Sequence, residues 1–89
     1  MIKGTTASGF EYEVDESKLK NMRVLKLLQR MQKNEGSAFL DAITAILGED
    51  QEERLYIHLE KTEGSANVEN TAREFAEVLH SAEGALKNL

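Results

Sequence analysis

The side chains best suited to catalysis in this chain are its two histidines, His58 and His80, and the acidic run of residues 49–53. A histidine acts as a general base beside a nucleophile, and paired carboxylates act as acid and base where they converge on a cleft. The sequence places no Ser/Asp pattern beside either histidine, so both are interpreted as surface or interface residues. The acidic run lacks the order of a calcium loop and is typical of the first turn of a helix.

Signals for a cofactor or a metal are also missing from the sequence. The chain has no cysteine, its two histidines lie far apart, and it has no phosphate-binding Gly-x-x-x-x-Gly-Lys-Ser/Thr motif. We therefore expect a protein that is not an enzyme and that has no cofactor and no metal site. Binding remains as the function to explain.

The composition indicates one globular domain with a small core. The chain has 89 residues, of which 40% are hydrophobic and 30% are charged, and a chain this short buries a limited share of its surface. Without disulfides, association with other copies or with a partner is the remaining means of stabilisation. No signal peptide is recognised at the N-terminus, and no apolar run reaches the ~18 residues of a membrane span. These features favour a soluble, cytoplasmic protein without membrane contact.

Charge is divided unevenly along the chain. Residues 1–33 carry seven basic and four acidic side chains, a net of +3, whereas residues 34–89 carry four basic and twelve acidic ones, a net of −8. An acidic balance argues against a nucleic-acid-binding protein. The division is consistent with head-to-tail association of copies, or equally with two solvated faces of one monomer.

Periodicity predicts a mainly α fold of three to four helices with a short N-terminal β-hairpin in residues 1–15. Phe10, Tyr12 and Val14 alternate with glutamates, as in a half-buried strand. The first helix is expected from residues 15–17, with Ser17 as its cap, to about Lys33.

The second helix is expected between a Ser37 cap and a Gly48 stop, and it is apolar nearly all round, which predicts a central position. The third helix is expected to begin at residue 49 or 50, with Asp50 and Glu53 as a capping box, and to end near Lys61. The fourth, an amphipathic helix within residues 66–89, is expected to begin near Asn67 and to weaken or stop at Gly84.

Two sets of apolar residues are candidates for binding surfaces. One set is flexible and contains methionine, and we interpret it as a groove for a partner helix: Met22, Leu25, Met31, Phe39, Ile43 and Ile46. The other repeats at intervals of four and three on the last helix, and we interpret it as a seam for self-association: Val68, Ala72, Phe75, Leu79, Ala82, Leu86 and Leu89. The alternative for any of these residues is an ordinary core position.

Several stretches together resemble a known family. They are the run Gly9–Glu16 before a Leu-rich helix, the junction Leu47–Gln51, the segment Leu55–Leu59 followed by Glu63-Gly64, and Glu74–Leu79 in the last helix. This layout resembles the small tail assembly chaperones of long-tailed bacteriophages (siphophages), above all those of lactococci and related bacteria. The similarity covers most of the chain and rests on apolar positions and turns.

The resemblance implies a role in the host cytoplasm. Such chaperones coat the long, apolar, helical tape measure protein and keep it soluble until tube subunits assemble around it, and they act as oligomers. A ring or an open spiral of copies would suit the coating of a rod. Two other classes remain open: a structural head–tail or tail component that stays in the virion, and a small helical regulator that binds a host protein.

Overall fold

The computed structural model describes the backbone of residues 1–87 and the side chains of residues 1–84. Within these residues the elements follow in the order β1 (Ile2–Thr5), β2 (Glu11–Val14), α1 (Glu16–Leu19), α2 (Met22–Gln32), α3 (Ala38–Leu47), α4 (Glu49–Glu63) and α5 (Val68–Lys87). The predicted mainly helical fold with an N-terminal hairpin is confirmed. The described chain has five helices, one more than the upper limit expected from periodicity.

The hairpin is an antiparallel pair in which Gly4 lies opposite Tyr12. The Tyr12 phenol covers Gly4 so closely that a Cβ atom at this position would overlap it, which explains the glycine in β1. The outward residues of β2 are exposed and its inward residues are buried, as the alternation predicted. The turn closes through two backbone hydrogen bonds, from the Thr6 amide to the Phe10 carbonyl at 2.9 Å and from the Gly9 amide to the Thr6 carbonyl at 3.0 Å, and it uses Gly9 at a φ of 98°.

The prediction of one long first helix is wrong, because Asn21 interrupts it. The Asn21 backbone is extended, and its side-chain oxygen accepts the amide hydrogens of Arg23 at 2.9 Å and Val24 at 3.4 Å. This is the bonding of an N-cap, which satisfies amides that have no carbonyl partner at a helix start. The segment therefore forms the single-turn helix α1 followed by α2.

Two predicted caps differ from the observed ones, and a third is confirmed in position only. Asp15 caps α1 in place of Ser17, and its carboxylate accepts the Ser17 amide at 2.9 Å. Ser37 occupies the N-cap position of α3, as predicted, but its side chain makes no capping hydrogen bond. Helix α4 follows Gly48 directly, so the proposed capping box at Asp50 does not form. Gly48 lies at a φ of 81° and ψ of 159°, which lets α3 and α4 join without a loop.

The last helix begins as predicted but continues further than expected. The side-chain oxygen of Asn67 accepts the backbone amide hydrogen of Asn70 at 2.9 Å, and the side-chain oxygen of Asn70 accepts that of Asn67 at 2.9 Å. This pair of hydrogen bonds forms a reciprocal cap for α5. Gly84 does not end the helix, which extends to Lys87. A glycine in a helix interior weakens the helix by only about 1 kcal/mol.

One core joins the hairpin to α1, α3, α4 and α5. Helix α3 is central, as its apolar composition predicted, and five of its ten residues are buried. Helix α2 differs, since it contains no fully buried residue and packs its apolar side half-buried on α3. The core consists of Phe10, Tyr12, Val14, Leu19, Ala42, Ile43, Ile46, Leu47, Leu55, Leu59, Phe75, Val78 and Ala82.

Candidate functional site

The six residues predicted to form a partner-binding groove do not share one surface. Ile43 and Ile46 have no exposed surface and lie in the core. Met22 and Leu25 are exposed on α2, by 76% and 41% respectively. A groove on the folded chain cannot use the two isoleucines, because both are fully buried in the core cluster.

The seam on α5 is likewise divided between core and surface. Phe75 and Ala82 are buried in the single chain, Leu79 is half-buried, and Val68 and Ala72 are exposed. The side chain of Leu86 and the whole of Leu89 lie outside the described residues. The buried side of the helix is rotated from the predicted stripe and, among the described side chains, consists of Asn70, Thr71, Glu74, Phe75, Val78 and Ala82.

The structure brings members of both sets together around Phe39. Two adjoining cavities, of about 620 Å³ and about 300 Å³, share Phe39 and Val68 as lining residues. We call them together the Phe39 groove. Its apolar lining consists of Met31, Phe39, Leu40, Tyr56, Ala66, Val68 and Ala72, and its polar lining of Asn34, Glu35, Gly36, Ser37, Glu60, Asn67 and Thr71.

The floor and walls of the groove differ in burial. Phe39 is held edge-on against the core residue Phe75, with ring centroids 6.4 Å apart and an interplanar angle of 69°. Leu40 and Val68 are exposed by 53% and 74%. Two large, exposed apolar side chains on separate helices thus border a partly buried aromatic floor.

Tyr56 lines the groove, while its hydroxyl forms a hydrogen bond within α4. The hydroxyl donates to Glu52 at 2.6 Å, and the Thr44 hydroxyl donates to the same carboxylate at 2.7 Å, which ties α3 to α4. Burial, together with the hydrogen bond and negative charge of Glu52, raises the pKa of Tyr56 to about 12. The phenol is protonated at neutral pH with or without this shift, and it donates its hydrogen to Glu52.

The groove carries negative charge. Glu35 and Glu60 line it, and no lysine, arginine or histidine among the described side chains does. Among the side chains that the structure describes, neither glutamate takes part in a salt bridge.

Comparisons with models of known protein families, with curated proteins and with solved structures find no match to this chain.

Sequence reasoning identified Met31 and Phe39 for one surface and Val68 and Ala72 for another, but it did not combine them. Leu40 and Tyr56 were not identified as groove residues. The available signal for Leu40 was that α3 is apolar nearly all round, so one of its sides had to remain outside the core. Nothing in the spacing indicates that the turn after α2 meets the start of α5.

A polar cluster around Ser8 is the arrangement closest to catalytic machinery. The Ser8 hydroxyl donates to Glu74 at 2.6 Å and lies 3.0 Å from Nε2 of His58. Glu74 also accepts the Thr6 hydroxyl at 2.7 Å. Since the Ser8 proton is directed at Glu74, His58 is not placed to remove it, unlike the histidine of a hydrolase triad. The cluster fastens the hairpin turn to α4 and α5.

Within the described residues, no group of three or more His, Cys, Asp or Glu side chains could hold a metal ion. In the same part of the chain, none of the helices is both long enough and apolar enough to cross a membrane.

Proposed function

We propose that this chain is a phage tail assembly chaperone that acts in the host cytoplasm, forms oligomers, and binds apolar helical segments of the tape measure protein in the Phe39 groove. The sequence resemblance supplies the identity of the partner. The groove supplies the physical means, and it is the single observation that carries the proposal. An amphipathic helix binds such a groove by anchoring apolar residues spaced at i, i+3 or i+4, and i+7.

The exposed apolar side chains of the groove support a binding site for another protein rather than an ordinary solvent-exposed surface. Leu40 and Val68 are two of the six large hydrophobic residues that stay exposed in the described part of the chain, and both border the same aromatic floor. Isolated exposed apolar residues are ordinary, whereas a contiguous apolar patch bordered by polar groups is typical of a protein-binding site. A bound helix would cover both side chains and the edge of Phe39 at once.

Self-association is part of the proposal and is supported by the surface that the single chain leaves uncovered. Leu79 on α5 is half-buried, and Met22 and Leu25 on α2 are exposed. Contacts of one such surface with a different surface on the next copy are heterologous, and they close into a ring or continue as a spiral. A ring would place the Phe39 grooves around a rod-shaped partner, and a spiral would also repeat them along its length.

Co-expression with tape measure fragments tests the function. The unmodified chain should keep these fragments soluble, whereas Leu40→Asp and Val68→Asp should abolish that effect while the circular dichroism spectrum keeps its helical signal. Ile57→Asp is the matched control, since Ile57 is also exposed, by 40%, but lies outside the groove. It should preserve solubility of the fragments.

Three outcomes would count against the proposal. Fragments that remain insoluble with the unmodified chain would refute binding, and equal loss of solubility with Ile57→Asp would refute the groove as its place. Recovery of the chain in stoichiometric amounts from finished virions would indicate a structural tail component instead.

A further inference from the structure

Among the side chains that the structure describes, the charged ones that line the Phe39 groove are both acidic. Glu35 stands where the turn after α2 meets the groove, and Glu60 stands on the last turns of α4. No cationic side chain within residues 1–84 lines the groove. A helix that covers the groove must therefore bring its own polar flanks close to two carboxylates that no cation in the groove offsets.

Helix ends add to this negative field. The C-terminal ends of α2 and α4 both border the groove, and helix C-termini carry partial negative charge on their unpaired carbonyls. The start of α5 brings a positive end to the same place. That end is occupied by the Asn67–Asn70 cap, and Glu69 in its first turn places another carboxylate beside it.

We propose that the Phe39 groove selects amphipathic helices whose apolar stripe is flanked by lysine or arginine, and that it rejects helices with the same stripe flanked by acidic residues. This inference rests on the proposed function, since it names the chemical class of helix that the groove accepts. Like charges brought together at an interface are unfavourable, and opposite charges raise association rates and discriminate among partners.

The chain contains one helix of the class that the groove selects. Helix α2 has no acidic residue, exposes Met22 and Leu25, and carries Arg23, Lys26 and Arg30 on an adjacent stripe. A second copy could therefore compete for the groove through α2, and the experiment must separate that competitor from a foreign helix.

Two synthetic peptides provide the test. Each is about 20 residues long, roughly 30 Å as a helix, with an identical leucine stripe, and the flanking positions are lysine in one peptide and glutamate in the other. Binding to the full chain is measured by fluorescence anisotropy. The lysine peptide should bind about tenfold more tightly or better at low ionic strength. The difference should shrink as salt shortens the screening length from about 10 Å at 0.1 M to about 3 Å at 1 M.

A matched pair of variants separates the groove from the overall acidity of the chain. The double variant Glu35→Gln/Glu60→Gln should bind both peptides with nearly equal affinity. The control Glu49→Gln/Glu53→Gln removes the same amount of charge from exposed positions on the first turns of α4, outside the groove. It should keep the preference for the lysine peptide.

Each contrary result has a distinct meaning. Tight and equal binding of both peptides to the unmodified chain would overturn the charge selection and leave the proposed function standing, whereas no binding of either peptide would overturn the proposed function. A preference that survives in the Glu35→Gln/Glu60→Gln variant would assign it to net charge and overturn the inference. Peptide binding that appears only in a Met22→Asp variant would show that α2 of a second copy occupies the groove. Since α2 is itself a basic amphipathic helix, that result would support the charge selection and overturn the foreign partner of the proposed function.

Discussion

Glu74 is the one charged residue that is buried among the side chains that the structure describes, whereas a carboxylate normally faces water. It is fully buried, yet it accepts hydrogen bonds from Ser8 and Thr6 and lies 3.4 Å from Nε of Arg73. Burial raises the pKa of Glu74, but the two hydroxyl donors and the Arg73 guanidinium lower it by more, so the net pKa is below its ordinary value. The carboxylate is thus stabilised in its charged form, and it fixes the hairpin turn to α5.

Replacing this carboxylate by an amide should weaken the fold in a pH-dependent way. Glu74→Gln is expected to lower the free energy of unfolding by about 1–3 kcal/mol near pH ~7, since a buried charged acceptor is lost. The folded-state pKa is depressed, so the stabilisation is present above the ordinary pKa of 4.5 and is lost as pH falls through the lower folded-state value. The difference from the unmodified chain, measured by urea unfolding, should therefore shrink toward pH ~3.

Glu77→Gln is the control for this prediction. Glu77 lies one turn further along α5 and accepts only the exposed Ala7 amide, at 3.2 Å, so its replacement should change stability by less than about 0.5 kcal/mol. A loss in Glu74→Gln that stays constant from neutral to acidic pH would contradict the role given to the charge.

At the scale of elements, replacement of two glycines by alanine should change the stability of the chain in opposite directions. Gly48 joins α3 to α4 at a φ of 81° and ψ of 159°, a conformation that residues with a Cβ atom adopt at a cost of about 1–3 kcal/mol. Gly84 lies within α5, and a Cβ atom there would meet no atom within 4 Å. Gly48→Ala should therefore destabilise the chain, and Gly84→Ala should stabilise it by up to about 1 kcal/mol.

Thermal unfolding followed by circular dichroism checks this pair. Because both variants add the same methyl group, the difference in sign isolates backbone conformation from packing. A fall in midpoint for Gly84→Ala would mean that α5 does not gain from a better helix former at that position. An unchanged midpoint for Gly48→Ala would mean that the junction accommodates a Cβ atom.

Elements were predicted well where the sequence carries a local signal. The alternation around Tyr12 identified the hairpin, and the position of Gly48 identified the end of α3. The break at Asn21 was missed because apolar residues continue at helical spacing on both sides of it, whereas the break depends on the cap that Asn21 forms. Periodicity indicates which side of a helix is apolar, but it does not indicate where one helix ends and the next begins.

The candidate site was only partly predictable, for a different reason. The stripe predicted on α5 does not include Glu74, but the hydroxyls of Thr6 and Ser8, distant in sequence, allow this carboxylate to be buried. This rotates the helix, so that Phe75 enters the core while Val68 stays outside. The rotation depends on contacts between the hairpin and α5. These residues are far apart in sequence, so a short stretch of sequence cannot reveal the contacts.

At the scale of the whole molecule, the hairpin and the helices should unfold as one unit. An isolated two-stranded hairpin is marginal in water, and here Phe10, Tyr12 and Val14 of the hairpin lie in the same core cluster as residues of α3, α4 and α5. Small single domains with one core usually unfold cooperatively. Separation of the strands would expose that core, so neither part is expected to persist without the other.

Tyrosine fluorescence allows this cooperativity to be tested, because the chain has two tyrosines and no tryptophan. In a Tyr56→Phe variant, Tyr12 reports on the hairpin alone while far-ultraviolet circular dichroism reports on the helices. The two signals should show the same urea midpoint and the same slope. A fluorescence transition at lower urea than the helical transition would show that the hairpin detaches first, since the helices would then retain their structure after Tyr12 has left the core.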